Sequence, residues 1–411
     1  MKEKSYMIAV PRNKESINEV GEMLTRLSGK EGIKILSHKF EEVLEMLLEV
    51  DGKEYPVEVI PMDFEIPEMF RVQHLFPDLD IEAVSKAEIG LSVQMEFGED
   101  ALDSYHAQLK IIHTLLPDLL AVLDASSEKI LSGKWVALAA ESMIAPSPRY
   151  IYTVQAVGGD DTSVWLHSHG LNRCGLPEIE VLDSTKDTYE KHYHVLETMA
   201  NHMLEREEPL EKGEPLYIAR VTEEIPLVGT LIDWKEAISL YPEDMLGGEC
   251  DREDSHNENT CCLFVYSSYE NMENGKYAPL SIYDDLLKSN PIYMISHRET
   301  ERMKKLAAER ISYMLKASEN SENKILIKIG LDMDEEFREE ENQFEHIWFE
   351  LLEVSENAVT CRLTQEPYYV KDMHEGSVGT YPFERITDWL IFTKERRLTA
   401  DDVYLLETEL G

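Results

Sequence analysis

The chain has 411 residues, of which 43% are hydrophobic, 9% aromatic and 29% charged, a composition typical of a folded protein rather than a disordered one. Its 81 acidic residues outnumber its 40 basic residues and give a formal net charge of −41. A field of this sign repels phosphate backbones and anionic bilayers, so we expect neither nucleic acid nor a membrane surface as a partner. It favours a basic protein or a metal ion, although an acidic surface also serves solubility alone.

Chain length and cysteine usage indicate a multidomain protein of the cytoplasm. A chain of 411 residues is too long for one ordinary core and predicts two or three domains. The five cysteines are odd in number and scattered, which argues for a reducing compartment rather than a disulfide framework. No apolar run reaches the roughly 18 residues needed to span a bilayer, and the N-terminus lacks the apolar region of a signal peptide.

The first third of the chain mixes strands and helices. Glu45–Val50 and Glu54–Ile60 flank Asp51-Gly52, a pair typical of a type I′ turn, and therefore predict a β-hairpin. The continuous apolar runs Leu119–Leu123 and Trp135–Ala140 predict buried strands. Strands and helices do not alternate regularly, so we predict an α+β fold with mixed or antiparallel sheets and packed helices.

The densest polar motif of the chain lies between residues 165 and 181. Val164–His169 is predicted to be the second arm of a hairpin, because Gly-Gly-Asp-Asp separates it from the preceding apolar segment. Successive side chains of a strand point to opposite faces, so His167 and His169 share one face. By the same rule Glu178 and Glu180 share a face of a second short strand.

Two interpretations of this motif remain open. The imidazoles and carboxylates of His167, His169, Glu178 and Glu180 could ligate zinc or, with waters, an octahedral divalent metal. Arg173 would then bind an anionic substrate or pair with one of the two glutamates. In the structural alternative, the histidines cap a tight turn by bonding backbone groups, and the glutamates are solvated.

The C-terminal part of the chain is dominated by strands. Ala317–Asn323 has the composition of a linker. The segments that follow are short, β-branched or aromatic, and bounded by turn residues: Ile325–Ile329, His346–Val354, Val359–Leu363 and Ile386–Phe392. This pattern predicts a small β-rich module with the shape of a partly open barrel.

These features set the predicted domain limits. Residues 1–290 form an α+β domain, with 1–145 and 146–290 as two subdomains. Residues 291–323 form a connecting helix and linker, and Ser296 with Glu299 predicts a capping box at the start of that helix. Residues 324–411 form the β-rich module.

An acidic run opens the predicted module. Asp332–Glu341 holds seven carboxylates in ten residues. Such a run is usually a solvated face or loop, and its functional interpretation is attraction of a basic partner. Trp389 could anchor a partner protein or fill the core of the module. The candidate partner-binding residues are therefore Asp332, Asp334, Glu335, Glu336 and Trp389.

Two segments resemble known bacterial modules. The string Trp165-Leu-His-Ser-His-Gly-Leu-Asn-Arg-Cys-Gly, followed by Glu178-Ile-Glu, resembles the hallmark of a bacterial domain of unknown function. Phe344-Glu-His-Ile-Trp348 and Ile386-Thr-Asp-Trp389, with Asn357, Pro367 and Gly376 between them, resemble the YegJ-like module that often follows that domain. These families have no assigned activity. Related small modules are similar to immunity and interaction domains of bacterial toxin systems, an analogy that assigns no residue roles.

Two functional hypotheses follow. The first is an acidic cytoplasmic protein-interaction protein, immunity-like in its resemblance, with no cofactor and no catalytic activity and with a basic protein as partner. The second is a metal-dependent hydrolase or transferase centred on His167 and His169 with Glu178 or Glu180.

Overall fold

Three sheets form the framework of the computed structural model, which describes residues 3–17, 20–72, 76–159, 162–206, 208–222, 224–252, 259–289, 297–338 and 343–406. The chain divides into two units, residues 1–141 with 145–295 and residues 142–144 with 296–411. Two sheets lie in the first unit and the third lies in the second. Helices accompany mixed or antiparallel sheets in both units, so the predicted α+β class is confirmed.

The first sheet contains seven strands and is accompanied by five helices. The strands are β1 (Ser5–Pro11), β2 (Ile33–Phe40), β3 (Leu44–Val50), β4 (Lys53–Asp63), β5 (Ile89–Met95), β6 (Leu119–Asp124) and β7 (Lys129–Ser132). The helices are α1 (Val20–Gly29), α2 (Glu68–Val72), α3 (Ile81–Ser85), α4 (Ala101–Leu115) and α5 (Gly133–Glu141). The strands lie in the order β2-β3-β4-β5-β1-β6-β7, and neighbouring strands are antiparallel.

The predicted β3–β4 hairpin is confirmed. Asp51 and Gly52 have φ angles of 49° and 84°, the left-handed conformations that a type I′ turn requires at both central positions. Leu44, Met46 and Leu48 alternate along β3 and are buried, so one face of the hairpin packs on the core. The opposite face carries mainly glutamates, with Leu47 and Pro56 paired between them.

The strand predicted at Trp135–Ala140 is wrong, because this segment lies within helix α5. A short apolar run cannot distinguish a buried strand from a buried helix, and the three alanines of the segment favour the helix. Gly133 begins the helix where the chain passes close to β6. A Cβ atom at this position would lie 2.4 Å from the carbonyl oxygen of Leu119.

The second sheet is mixed. Its strands are β8 (Thr153–Gly158), β9 (Ser163–His169), β10 (Glu178–Thr185), β11 (Leu216–Arg220), β12 (Pro226–Asp233), β13 (Thr260–Tyr266) and β14 (Ala278–Pro279). Its helices are α6 (Tyr189–Glu205), α7 (Trp234–Ile238), α8 (Tyr269–Glu273) and α9 (Asp284–Ser289). The order is β11-β12-β13-β10-β9-β8, with β14 paired to β13, and β10 runs parallel to β13.

The third sheet lies in the second unit and is antiparallel. Its strands are β15 (Lys324–Asp332), β16 (Phe344–Val354), β17 (Ala358–Leu363), β18 (Val378–Pro382), β19 (Ile386–Phe392) and β20 (Arg397–Leu398), in the order β18-β17-β16-β15-β19-β20. The module is β-rich as predicted, and its described strands form an open sheet rather than a closed barrel.

Two helices precede this sheet, α10 (His297–Glu309) and α11 (Ile311–Ser318), and both belong to the second unit. The capping box predicted for the first of them involves Ser296, which lies outside the described residues. Among the helices that the structure describes, none combines the length and apolar character needed to cross a membrane.

Candidate functional site

The histidine motif lies on β9, between β8 and β10. β8 and β9 form the predicted hairpin, whose register places Gln155 opposite His167. On its other side His167 lies opposite Glu180 of β10. The ring centroids of His167 and His169 are 5.0 Å apart, and both side chains are buried. Strand alternation therefore brings the two imidazoles together, as the sequence predicts.

A carboxylate that sequence reasoning missed approaches these imidazoles. Glu128, in the turn between β6 and β7, accepts a hydrogen bond from Gln155 Nε2 at 2.7 Å. Its Oε1 lies 3.6 Å from His169 Nδ1, and its side chain is 26% exposed. His167 Nε2 lies 3.3 Å from Gln155 Oε1. Burial raises the pKa of Glu128. Glu128 thus places a carboxylate of the first sheet beside the imidazoles of the second.

Glu178 stabilises the loop between β9 and β10. Its carboxylate accepts hydrogen bonds from Ser168 Oγ at 2.6 Å and from the amides of Gly170 and Asn172 at 2.8 and 3.0 Å. Gly170 has a φ of 111°, and a Cβ there would lie 2.7 Å from the carbonyl oxygen of Ile151. Burial raises the pKa of Glu178, and these hydrogen bonds oppose the shift. The expectation of a solvated Glu178 is therefore wrong.

Glu180 is buried in an ion pair. Arg252 Nη1 donates to its Oε1 at 2.9 Å, and Nη2 donates to Oε2. The Arg252 guanidinium lies 4.4 Å from the ring centroid of Trp234 and 5.4 Å from that of Trp165. Burial raises the pKa of Glu180, and Arg252 opposes the shift. Glu180 is therefore not solvated, and its carboxylate turns to a guanidinium rather than to an imidazole.

The predicted metal ligands thus make hydrogen bonds to different protein groups. Zinc sites generally need three or four nitrogen, sulfur or oxygen ligands from the protein that converge on one point. Over the described ranges of the chain, no group of three or more His, Cys, Asp and Glu side chains is placed to hold a metal ion.

Arg173 contacts neither glutamate. Its guanidinium forms a bidentate pair with Asp124 at the end of β6, with Nη1–Oδ1 and Nη2–Oδ2 distances of 2.8 Å. Nη1 also donates to Ser5 Oγ of β1 at 3.0 Å, and Nη2 donates to the carbonyl of Ile151. The Arg173 and Asp124 side chains are 1% and 0% exposed. Burial lowers the pKa of Arg173, but the Asp124 carboxylate outweighs it and the pKa is raised. An anionic substrate cannot reach this guanidinium.

A second buried cation lies beside this pair. Lys129, the first residue of β7, has no exposed surface, and its Nζ donates to the carbonyl of Tyr152 at 2.8 Å. Burial lowers the pKa of Lys129 to about 7, with Asp124 opposing and Arg173 supporting the shift. The turn from Asp124 to Lys129 therefore supplies three charged groups to the junction between the first and second sheets, which we call the inter-sheet junction.

Sequence reasoning also missed a serine–histidine–aspartate chain. Ser184 Oγ lies 2.6 Å from His192 Nδ1, and His192 Nε2 lies 2.8 Å from Asp284 Oδ1. This is the connectivity of an activated nucleophile. However, Ser184 is 2% and His192 0% exposed, so these contacts tie α6 and α9 to β10. His192 and Asp284 are 92 positions apart in the sequence, so their pairing gives no local signal.

The acidic candidates of the second unit make surface contacts. Asp332 Oδ2 accepts from Arg385 Nη2 at 2.9 Å. Asp334 Oδ2 accepts from the amide of Lys371 at 3.0 Å, and the Lys371 ammonium pairs with Glu336. The remainder of the predicted acidic run, residues 339–341, lies outside the described residues.

Trp389 fills the core of the second unit. It has no exposed surface, and its Nε1 donates to the carbonyl of Ala307 at 2.9 Å. A completely buried ring cannot anchor a partner, so the partner-binding assignment of Trp389 is wrong and the core alternative holds.

The fold and this junction define an α+β protein in which buried ion pairs and hydrogen bonds join two sheets. Family models match three parts of the chain: residues 5–146 (protein of unknown function DUF4026, N-terminal), residues 151–264 (DUF4026, C-terminal) and residues 303–410 (DUF2314, uncharacterized protein conserved in bacteria). The chain therefore belongs to an uncharacterised multi-module family that combines these domains. Comparison with curated proteins and with solved structures gives no match. These matches confirm the resemblance to uncharacterised modules. The resemblance of the C-terminal module to the YegJ-like module stays a prediction.

The first prediction concerns the Arg173–Asp124 pair. Arg173→Met leaves a buried carboxylate without its counter-charge, so we expect the free energy of unfolding to fall by about 3–5 kcal/mol. Arg173→Met combined with Asp124→Leu should lose less, because no charge is then left unpaired. Urea unfolding followed by circular dichroism measures both. Arg12→Met, which removes an exposed pair with Asp118, is the matched control and should lose far less. Equal losses for Arg173→Met and Arg12→Met would contradict the prediction.

The second prediction concerns Lys129. Its pKa is about 7 in the folded protein, against an ordinary value of 10.5, so between these values the unfolded chain binds a proton that the folded chain lacks. The contribution of Lys129 to the free energy of unfolding therefore rises as the pH rises between these two pKa values. It is lowest at a pH below both of them. From pH 7 to pH 9 we expect wild type to gain about 2 kcal/mol relative to Lys129→Met. Parallel pH profiles for the two proteins would refute this assignment.

Proposed function

We propose that this chain is a non-catalytic binding protein of the cytoplasm whose partner is a basic protein. The carrying observation is the net charge of −41. The side chains that suggested catalysis are buried and hydrogen bonded within the protein, so they do not favour an enzyme over a binding protein. The five cysteines are free thiols, which supports a reducing compartment.

Electrostatics gives this proposal its physical content. A field of one sign raises the association rate with a partner of the opposite sign and suppresses partners of like sign. Salt screens such a field, because the Debye length falls from about 10 Å at 0.1 M to about 3 Å at 1 M ionic strength. The resemblance to immunity modules would make the basic partner a toxin, which is the narrowest form of the proposal.

Capture experiments test the proposal. The full chain, immobilised, should retain a basic protein from an extract of its source cells at about 50 mM salt and release it near 0.5 M. An unrelated protein of similar size and net charge is the control, because it separates a specific partner from general polyanion binding. Capture of the same proteins by both matrices, or retention that salt leaves unchanged, would count against the proposal.

Metal analysis separates this function from the metal-dependent alternative. We expect elemental analysis of the purified chain to give substoichiometric divalent metal, equal in wild type and in the His167→Ala, His169→Ala double variant. One equivalent of metal that disappears in the double variant would support the enzyme instead.

A further inference from the structure

A long loop of the second unit presents two adjacent tyrosines to solvent. Residues 364–377, which we call the tyrosine loop, are all described and connect β17 to β18 without forming a helix or strand. Tyr368 is 79% exposed and Tyr369 is 43% exposed. Their ring centroids are 6.3 Å apart, and the Tyr369 ring lies 5.5 Å from that of Phe337. Packing within the fold does not explain this aromatic surface, because most of Tyr368 contacts solvent.

A buried carboxylate fixes the position of the tyrosine pair. Glu345 of β16 is buried and accepts hydrogen bonds from the amides of Tyr368 and Tyr369, each at 2.8 Å. The carbonyl of Tyr369 accepts from the amide of Asp334 at 2.9 Å, and the amide of Lys371 donates to Asp334 Oδ2 at 3.0 Å. Long loops that are held in this way are usually functional. A surface that is already in place before a partner arrives loses less conformational entropy on binding.

The aromatic surface around the tyrosine loop already binds cations of the protein itself. Lys371 Nζ lies 5.3 Å from the ring centroid of Phe337 and pairs with the carboxylate of Glu336. The guanidinium of Arg385 lies 5.4 Å from the ring centroid of Phe344. A ring face attracts a cation through its quadrupole, and this attraction is strongest for tryptophan and then for tyrosine and phenylalanine. The rings of the tyrosine loop offer further faces of this kind to a cation from outside.

The charge around the tyrosine loop complements a basic partner. The segment 332–338 holds four carboxylates and one arginine, and the tyrosine loop holds three carboxylates and one lysine. The first of these segments contains the acidic residues that the sequence predicts to bind a partner, Asp332, Asp334, Glu335 and Glu336. Acidic groups therefore exceed basic groups around the exposed rings, which favours a cationic ligand and repels an anionic one.

We infer that the tyrosine loop binds a basic segment of the partner protein, with an arginine of that segment stacked on the ring of Tyr368. This inference rests on the proposed function and gives it a location. Arginine fits better than lysine, because its planar guanidinium stacks on an aromatic face and also carries the charge. Neighbouring basic residues of the same segment would face the carboxylates of segment 332–338.

Peptide binding to the full chain tests the inference. The probe is a fluorescent, acetylated peptide, Gly-Ser-Arg-Gly-Arg-Ser-Gly. Its control carries citrulline at both arginine positions, which keeps the shape of the side chain and removes its charge. Fluorescence anisotropy at about 0.15 M salt, where the Debye length is about 8 Å, measures both dissociation constants with distant charges largely screened. The arginine peptide should bind wild type about tenfold more tightly than the citrulline peptide.

Three variants locate the binding. Tyr368→Leu removes the aromatic face but keeps an apolar side chain, so it should weaken binding of the arginine peptide about threefold. Tyr368→Trp should retain or tighten binding, because the indole attracts a cation more strongly than the phenol. Tyr269→Leu is the matched control: Tyr269 of the first unit is 70% exposed and precedes Glu270, and its substitution should leave binding unchanged. Circular dichroism and thermal unfolding should show wild-type stability for all three, since both tyrosines are largely exposed.

The outcomes separate the two claims. Equal binding by Tyr368→Leu and Tyr269→Leu, loss of binding in Tyr368→Trp, equal binding of the two peptides, or no binding of the arginine peptide would overturn the assignment of this loop. The proposed function would survive each of these results if the salt-sensitive capture described above succeeds, and would fail independently if that capture fails.

Discussion

Arg173 and Asp124 form a bidentate ion pair with almost no exposed surface, between a loop of the second sheet and a strand end of the first. Removing two charges from water is costly, and their attraction compensates only when the geometry is good and the remaining donors are satisfied. Ser5 and Ile151 accept further hydrogen bonds from the guanidinium, whereas its buried Nε has no hydrogen-bond partner among the described residues. The two sheets must therefore meet in one arrangement, since a displaced junction would leave a buried charge without its partner.

The remaining polar residues of the junction follow from this constraint. The turn after Asp124 places Glu128 beside His169 and Lys129 under the carbonyl of Tyr152. Gly170 approaches the carbonyl of Ile151 more closely than any residue with a Cβ could. The histidine motif thus lies where the two sheets meet. Glu128 of the first sheet approaches His169, whereas Glu178 and Glu180 bond to groups of the second sheet and its loops. Residue types that suggest catalysis can equally be the polar groups that a buried interface must satisfy.

Local chemistry explains which parts of the fold were predictable. Asp51-Gly52 determines its own turn, and the alternation on β9 determines which face His167 and His169 share, so both predictions are confirmed. The segment from Trp135 to Ala140 carries no such signal, because apolar continuity suits a buried strand and a buried helix equally. The sequence predicts an anionic substrate or a nearby glutamate as the partner of Arg173, whereas its partner lies 49 residues away on another sheet. Long-range pairing of charges leaves no periodicity in a single sequence.

Hydrogen exchange of the Asp124→Asn variant tests the role of the buried pair most directly. Substitution of one carboxylate oxygen preserves shape and removes the charge, so the junction alone is weakened. If the pair joins the two sheets, amide exchange should accelerate together in β6 of the first sheet and in β9 and β10 of the second, by similar factors. Acceleration confined to the amides around residue 124, with β9 and β10 as protected as in wild type, would show that the sheets hold together without it.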